Sequence, residues 1–260
     1  MNVEQSLVPL DKLNRLLPSL STEYANAQPF PHIAIENFLD DEVGNAVLEE
    51  FPGESDIRWK NYYDQWQKKQ ANENEELMGS CTRNLLRALN SSEFLKFLEE
   101  MTGIKNLVAD PGYRGGGLHN IYRGGKLGIH ADFNKHERLN LDRRLNLLVY
   151  LNKNWKEEYG GHIELWDREM KHCVKRYAPL FNRAVVFTTT DISYHGHPDP
   201  LNCPTDMSRK SLALYYYTDG RPEEEIGKDH STIFRERPNE PKENSFKIKF
   251  GKYLRKLKSR

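Results

Sequence analysis

From residue 117 to residue 218 the chain alternates apolar and polar positions in short runs: GLHNIYR, LGIHADF, RLNLLVYLN, GGHIELWD, HCVKRYA, RAVVFTT and SLALYYYT, punctuated by Gly, Asn and Asp. Alternation with period two puts every second side chain on one face of a pleated strand, so each run predicts a strand with a covered face. The N-terminal part is patterned differently. Leu10, Leu13, Leu16 and Leu17 predict a short amphipathic helix within residues 1–28, ended by Pro18, and PFPHIAIENFL at 29–39 predicts a strand. Asp40 or Asp41 can cap a helix through DEVGNAVLEEF, closed by Pro52, and Ser91 or Ser92 can open another, EFLKFLEEMTG, stopped by Gly103. Residues 58–80, RWKNYYDQWQKKQANENEELMGS, hold no clean period and predict a loop or lid with partial helix. Helices early and strands late give an α+β, mainly β fold: a sandwich or small barrel buttressed by N-terminal helices, with a mouth able to hold one small ligand.

Bulk properties narrow the function only by exclusion. The chain has 260 residues with 38 basic and 38 acidic side chains, so net charge offers no argument for nucleic acid. No apolar stretch is long enough for a membrane span, and the N-terminus lacks the pattern of a secretory signal. Cys81, Cys173 and Cys203 are odd in number and widely spaced, which predicts free thiols in a reducing cytoplasm rather than a disulfide framework. From Arg221 onward the sequence turns polar and then basic. Between Lys242 and Arg260 there are eight Lys or Arg against one Glu, and Phe246, Phe250, Tyr253, Leu254 and Leu257 recur near helical spacing. Such a segment can lie on an anionic membrane surface, but packing on its own domain is the expected use.

Candidate chemistry starts at LGIHADFN. On a strand His130 and Asp132 point to the same side, as two ligands of one divalent metal must. A third ligand is offered by TDISYHGHPDP, with His195 and His197 just past the apolar run RAVVFTT. Arg209 and Ser211 also share a face. A guanidinium there presents a planar fork to a carboxylate, and the serine adds one donor.

Taken together, Tyr122, HAD at 130–132, RRLNLLVYLN at 143–152, the GG-containing strand from 160, SYHG at 193–196 and RKS at 209–211 make the sequence resemble the 2-oxoglutarate and Fe(II)-dependent dioxygenases, in particular their prolyl-4-hydroxylase-like branch. The resemblance runs from about Gly116 to Thr218, with a looser echo in PFPHIAIENFLDDEV, and implies a double-stranded β-helix (jelly-roll) core; with the patterning this divides the chain into a helical segment at 1–28, the oxygenase domain with its helical buttress at 29–220 and a polar to basic extension at 221–260. It implies iron held by His130, Asp132 and His195, the facial triad of non-haem iron oxygenases. It also implies 2-oxoglutarate and O2 as cosubstrates, with ascorbate as a compatible reductant. Arg209, assisted by Ser211, would receive the far carboxylate of 2-oxoglutarate. Asn146, Leu148 and Tyr150, alternating on one strand face, would wall the cosubstrate pocket, and Tyr122 would contact the cosubstrate. The implied reaction is hydroxylation of an unactivated C–H bond, with a peptidyl proline, an amino acid or a sugar as compatible substrates, and with release of succinate and CO2.

Some alternatives stay open at this level. His197 competes with His195 as ligand, and Lys210 is the substitute anchor if the strand register differs by one. The glycines at 115–117, 124, 125 and 128 read as hairpin turns and bulges rather than a phosphate cradle. A peptide or small-molecule substrate would enter under the aromatic stretch at 59–80, with Trp59, Tyr62, Tyr63 and Trp66. Rival classes are a cupin-like metal enzyme without an oxo-acid cosubstrate and a non-catalytic binding module of the same fold.

Overall fold

The two faces of the alternating strands are covered by different things, and that difference creates the site. The computed structural model describes residues 7–238. Its helices are α1 (Leu10–Asn26), α2 (Asp41–Glu49), α3 (Ser80–Leu89) and α4 (Ser92–Thr102). Its strands are β1 (His32–Ile35), β2 (Lys60–Tyr63), β3 (Gln67–Asn72), β4 (Val108–Ala109), β5 (Gly117–Tyr122), β6 (Lys126–Ala131), β7 (Asp142–Tyr150), β8 (Ile163–Trp166), β9 (Cys173–Tyr177), β10 (Arg183–Thr188), β11 (His195–His197), β12 (Ser208–Thr218) and β13 (Ile233–Phe234). Every run expected to be a strand is one.

Strands follow the order β1-β10-β7-β12-β5-β3-β6-β11-β8-β9. The sheet folds over on itself into an antiparallel jelly roll, with β1-β10-β7-β12-β5 as one wall and β6-β11-β8-β9 as the other. One face of the first wall, carrying Leu145, Leu147, Val149, Ala184, Val186, Leu212, Leu214 and Tyr216, packs on the helices through Leu13, Leu85, Leu86, Phe94, Leu98 and Met101. The opposite positions on the same strands, including Tyr150, Val185 and Phe187, meet Ile163 and Leu165 of the second wall inside the roll.

Several expectations are corrected. Pro18 does not end α1, which continues to Asn26 because Leu20 and Tyr24 are buried against the core and hold its second half in place. The proline has no N–H to donate to the Asn14 carbonyl four residues back, and the helix runs on past that one missing bond. Residues 58–80 hold the partial helix expected of them, a short 3-10 turn at Glu75–Leu77, but the rest is not mainly loop. They form the β2–β3 hairpin and the approach to α3, a helix missing from the sequence reading although Thr82, Leu85, Leu86 and Leu89 mark its buried face.

The glycines around 124 do not close a hairpin either. β3 is antiparallel to β5 (Ala71 opposite His119) and also to β6 (Lys68 opposite Lys126), so β5 and β6 run the same way as one bent strand. The bend needs glycine: a Cβ at Gly125 would meet the Lys68 carbonyl oxygen at 2.7 Å and the Tyr122 carbonyl oxygen at 2.8 Å. This corner carries the chain from one wall to the other just before His130.

Candidate metal centre

His130 lies near the end of β6, and its cross-strand partner is His195 at the start of β11. Asp132 follows one residue past the strand and returns to the same side. The donor atoms of the three residues lie within 4.8 Å of one another. Asp132 Oδ1 is 3.5 Å from His130 Nε2, and Oδ2 is 3.4 Å from His195 Nε2. Both imidazoles are fixed in one tautomer. Nδ1 of His130 donates to the Gly128 carbonyl at 2.8 Å, and Nδ1 of His195 donates to the Ser193 carbonyl at 2.9 Å. Each Nε2 therefore keeps its lone pair aimed at the common point. Burial pulls His195 down to about 4, against the opposing pull of Asp132, so the ring is neutral and able to ligate at neutral pH. Two imidazole nitrogens and one carboxylate oxygen on one side of a point fit a six-coordinate divalent iron with open positions.

His197, the alternative ligand, is not brought into this group. It is buried, with neither ring nitrogen hydrogen-bonded, two residues further along β11 opposite Leu127. The glycine between the two histidines is required, because a Cβ at Gly196 would sit 2.6 Å from the Gly128 carbonyl oxygen.

One buried cation beside the triad was not foreseen. Arg143, 1% exposed, stands 3.1 Å from Asp132 Oδ2 through NH2. The same guanidinium donates to Asn146 Oδ1 (2.7 and 3.0 Å), and Asn146 Nδ2 donates to Asp132 Oδ2 at 2.8 Å. Its plane rests on Tyr215, 3.5 Å from the ring centre, with Phe133 on another side. Although burial works against ionisation, Arg143 first, then His195 and His130, hold the Asp132 carboxyl well below the usual carboxylate range. Strict alternation would pair Asn146 with Arg144 on this face. A bulge intervenes, since Tyr217 opposes Arg143 and Tyr216 opposes Leu145, leaving Arg144 as the extra residue. Arg144 reaches the other way, to Glu225 at 3.3 Å.

Arg209 lies deeper in the roll, 5% exposed, and donates to the Gly161 carbonyl (2.8 Å) and to the Tyr150 hydroxyl (3.1 Å). Among the described residues no carboxylate pairs with it. Burial lowers its pKa, with Tyr150 pulling the other way. Ser211, Leu148 and Tyr150 share its inward face, and Ser211 is the cross-strand partner of Tyr150. Lys210 points to the helix side, half-buried with its ammonium 5.9 Å from the Phe51 ring centre, so it neither replaces Arg209 nor stands free in water.

Tyr122 is corrected. Its cross-strand partner is Ser208, while Arg209 faces Ile121, which turns Tyr122 away from the interior. His119, not Tyr122, occupies the inward position on this strand, its Nε2 3.0 Å from the Gly115 carbonyl.

A cleft of about 620 Å³ opens beside the triad, lined by His130, Asp132, Arg143, Tyr215 and the β2–β3 hairpin. The segment after 221 returns to this mouth: β13 pairs with β6, and Phe234 packs on the His130 ring and stacks on Trp66. Of the aromatics expected in a lid, Trp59 is instead core, stacked on Phe51. The basic segment 242–260 lies outside the described residues. No helix among the described residues is long and apolar enough to cross a membrane.

Comparison with known proteins agrees with this geometry. Residues 116–217 match the family described as the 2OG-Fe(II) oxygenase superfamily. Among curated proteins, prolyl 3-hydroxylase OGFOD1 of Mus musculus is 29% identical over 79 residues, 29% of this chain; the stretch spans 14% of that longer protein. Among solved structures, a prolyl hydroxylase from Trichoplax adhaerens, in complex with a hypoxia inducible factor oxygen degradation domain peptide fragment, superimposes with a TM-score of 0.59 at 19% identity, covering 80% of this chain and 91% of that one. Prolyl 4-hydroxylase from Phytophthora capsici gives 0.53 at 18% identity over 84% and 68%, and that of Pseudomonas putida 0.50 at 15% over 78% and 100%. At these identities the structures share the fold.

Proposed function

We propose that the protein is an Fe(II)- and 2-oxoglutarate-dependent hydroxylase whose metal is held by His130, Asp132 and His195. The observation that carries this reading is the convergence of two imidazole Nε2 atoms and one carboxylate in the same roll as a buried Arg209 that no carboxylate pairs with among the described residues. Iron with O2 and 2-oxoglutarate supplies oxidation of an unactivated C–H bond to an alcohol, releasing succinate and CO2. The protein's own work is positional. Backbone carbonyls fix the two imidazoles, Arg143 and Asn146 fix the Asp132 carboxylate, and Arg209 with the Tyr150 hydroxyl receives the far carboxylate of the cosubstrate. Ser211 and Leu148 complete that wall. The apolar inner residues around Phe187 and Leu165 keep water from it.

The primary substrate enters through the cleft under β2–β3 and β13. A peptidyl proline is the first candidate, in keeping with the names of the relatives, and a small molecule is the second. The catalytic unit spans about 29–220, and residues 221–238 complete its mouth. The cytoplasm is the compartment that suits its free thiols.

The test is anaerobic. Fe(II) followed by 2-oxoglutarate, added to metal-free protein, should produce a weak visible charge-transfer band only when both are present. Asp132→Ala should lose the band and all turnover. Iron binding without the band would point to a metal enzyme that uses no oxo acid, and an active Asp132→Ala variant would overturn the assigned triad.

A further inference from the structure

The oxygenase reading accounts for Arg209 but leaves a second buried-side cation without a task. Lys69 sits on β3 two residues before Ala71, whose cross-strand partner is the inward-facing His119, so Lys69 also points into the roll. It lines the cleft together with Asp132 and Arg143, whereas Arg209 and Tyr150 lie outside that lining. The two cations address different spaces. Among the described residues, the Lys69 ammonium has no carboxylate within ion-pair distance and no hydrogen-bond acceptor; its neighbour is the Tyr62 ring, 5.2 Å from centre to nitrogen, with Lys60 on the same ring at 5.1 Å.

Four acids line the cleft, and three of them are committed elsewhere; the fourth, Asp229, lies on the segment before β13 and makes no ion pair with Lys69 among the described residues. Glu137 pairs with Arg114, Glu73 accepts from the Gly115 N–H at 2.8 Å, and Asp132 is held by Arg143. Asp132 is the one carboxylate whose charge supports Lys69, while Arg143, Arg209 and Lys60 all oppose it. Once Asp132 ligates a divalent metal, that support is spent. The metal, Arg143, Arg209 and Lys69 together then outweigh Asp132 and both carboxylates of 2-oxoglutarate. A half-buried ammonium in such a field is costly unless an anion joins it. Burial, opposed by Asp132, already brings Lys69 down to about 8.

We propose, on the basis of the oxygenase reading, that the cleft takes a substrate bearing an anionic group, a carboxylate or a phosphate, which Lys69 receives while the carbon to be oxidised lies at the metal. Lys60 on the other side of Tyr62 extends the same positive wall to the entrance. The anion would thus orient the substrate from the hairpin side, independently of the cosubstrate anchor.

The experiment uses the full chain loaded with Zn(II) in place of iron, so that no turnover occurs. 2-Oxoglutarate is titrated calorimetrically first; acetate and inorganic phosphate are then titrated in separate arms into the 2-oxoglutarate complex. Wild type should bind at least one of the two anions, and the preferred arm identifies a carboxylate or a phosphate. Lys69→Met should weaken that binding by roughly tenfold or more, as expected for loss of a charge-assisted contact, with 2-oxoglutarate affinity within about twofold of wild type. Lys69→Arg should restore most of it. Absence of binding of either anion to the wild-type complex, or equal binding by Lys69→Met, overturns the inference alone. A Lys69→Met variant that loses 2-oxoglutarate affinity instead would make Lys69 part of the cosubstrate anchor, also overturning it. Failure of wild type to bind 2-oxoglutarate at all would sink the oxygenase reading and this inference with it.

Discussion

Arg209 and Lys210 are adjacent in sequence and opposite in environment, because a pleat sends neighbours to opposite faces. Arg209 goes inward to Tyr150, and Lys210 outward over Phe51. Replacing Arg209 by alanine should raise the apparent 2-oxoglutarate requirement by roughly 10- to 100-fold, the worth of a charge-assisted pair, with a smaller effect on the rate at saturation. A steady-state titration of the cosubstrate reads this out, and an unchanged requirement would move the anchor elsewhere. Asn146 acts differently from the pocket wall it was expected to form. It bridges Arg143 and Asp132, so Asn146→Ala should weaken iron binding by about 10- to 100-fold, as losses behind a ligand usually do, while 2-oxoglutarate affinity in the metal-saturated protein stays near normal. Metal titration against a competing chelator separates the two. His130, Asp132 and Arg209 were legible because i and i+2 spacing is a local property. Arg143 was not, since one inserted residue at Arg144 overturns the alternation by which its face would be read.

At the level of elements, the site depends on how closely β11 approaches β6. The pairing of His195 with His130 brings the Gly128 carbonyl against Gly196. Gly196→Ala should therefore push the strands apart, costing about 1–3 kcal/mol of stability as an overpacking change. Iron affinity should fall with it, because the two imidazoles ride on the two strands. Thermal unfolding with and without metal checks this: the metal-induced rise in Tm should shrink. The hairpin β2–β3 shows the limit of periodicity. KNYY is too exposed to alternate, and β3 becomes a strand because β5 and β6 present it with backbone partners on one long edge. The helix α3 had a readable apolar face, but it begins where the polar hairpin ends. The absence of a clean period before it concealed its start.

For the whole molecule, burial of imidazoles couples stability to pH. Burial lowers the pKa of His32 and takes His119 down to about 3, helped in the latter by the charge of Lys69. Both folded-state values lie below the unfolded one, so the unfolded chain takes up protons first as pH falls. Stability is fully present above the unfolded histidine pKa and is lost below it, by up to about 1.4 kcal/mol per pH unit for each such ring. Denaturant unfolding of the metal-free protein between about pH 7.5 and about pH 5 should show this fall, and His119→Gln should make it shallower. An unchanged slope in that variant would mean that His119 contributes nothing to it.

The sequence by itself determined the strand at 29–39 and the seven alternating runs between 117 and 218, the helix caps at Ser91 and Gly103, the i and i+2 pairs that share a face and, through HAD, SYHG and RKS, the class of chemistry proposed. These are properties of a few consecutive residues, set by the pleat of a strand and the hydrogen-bonding needs of a helix end. Only the tertiary structure decided which histidine of HGH meets His130, which arginine of RR turns inward, that Tyr122 faces away, and that Lys69 and Phe234 come to the mouth. Each of those depends on register between strands distant in the chain, and a single bulge or bend reverses every side chain beyond it.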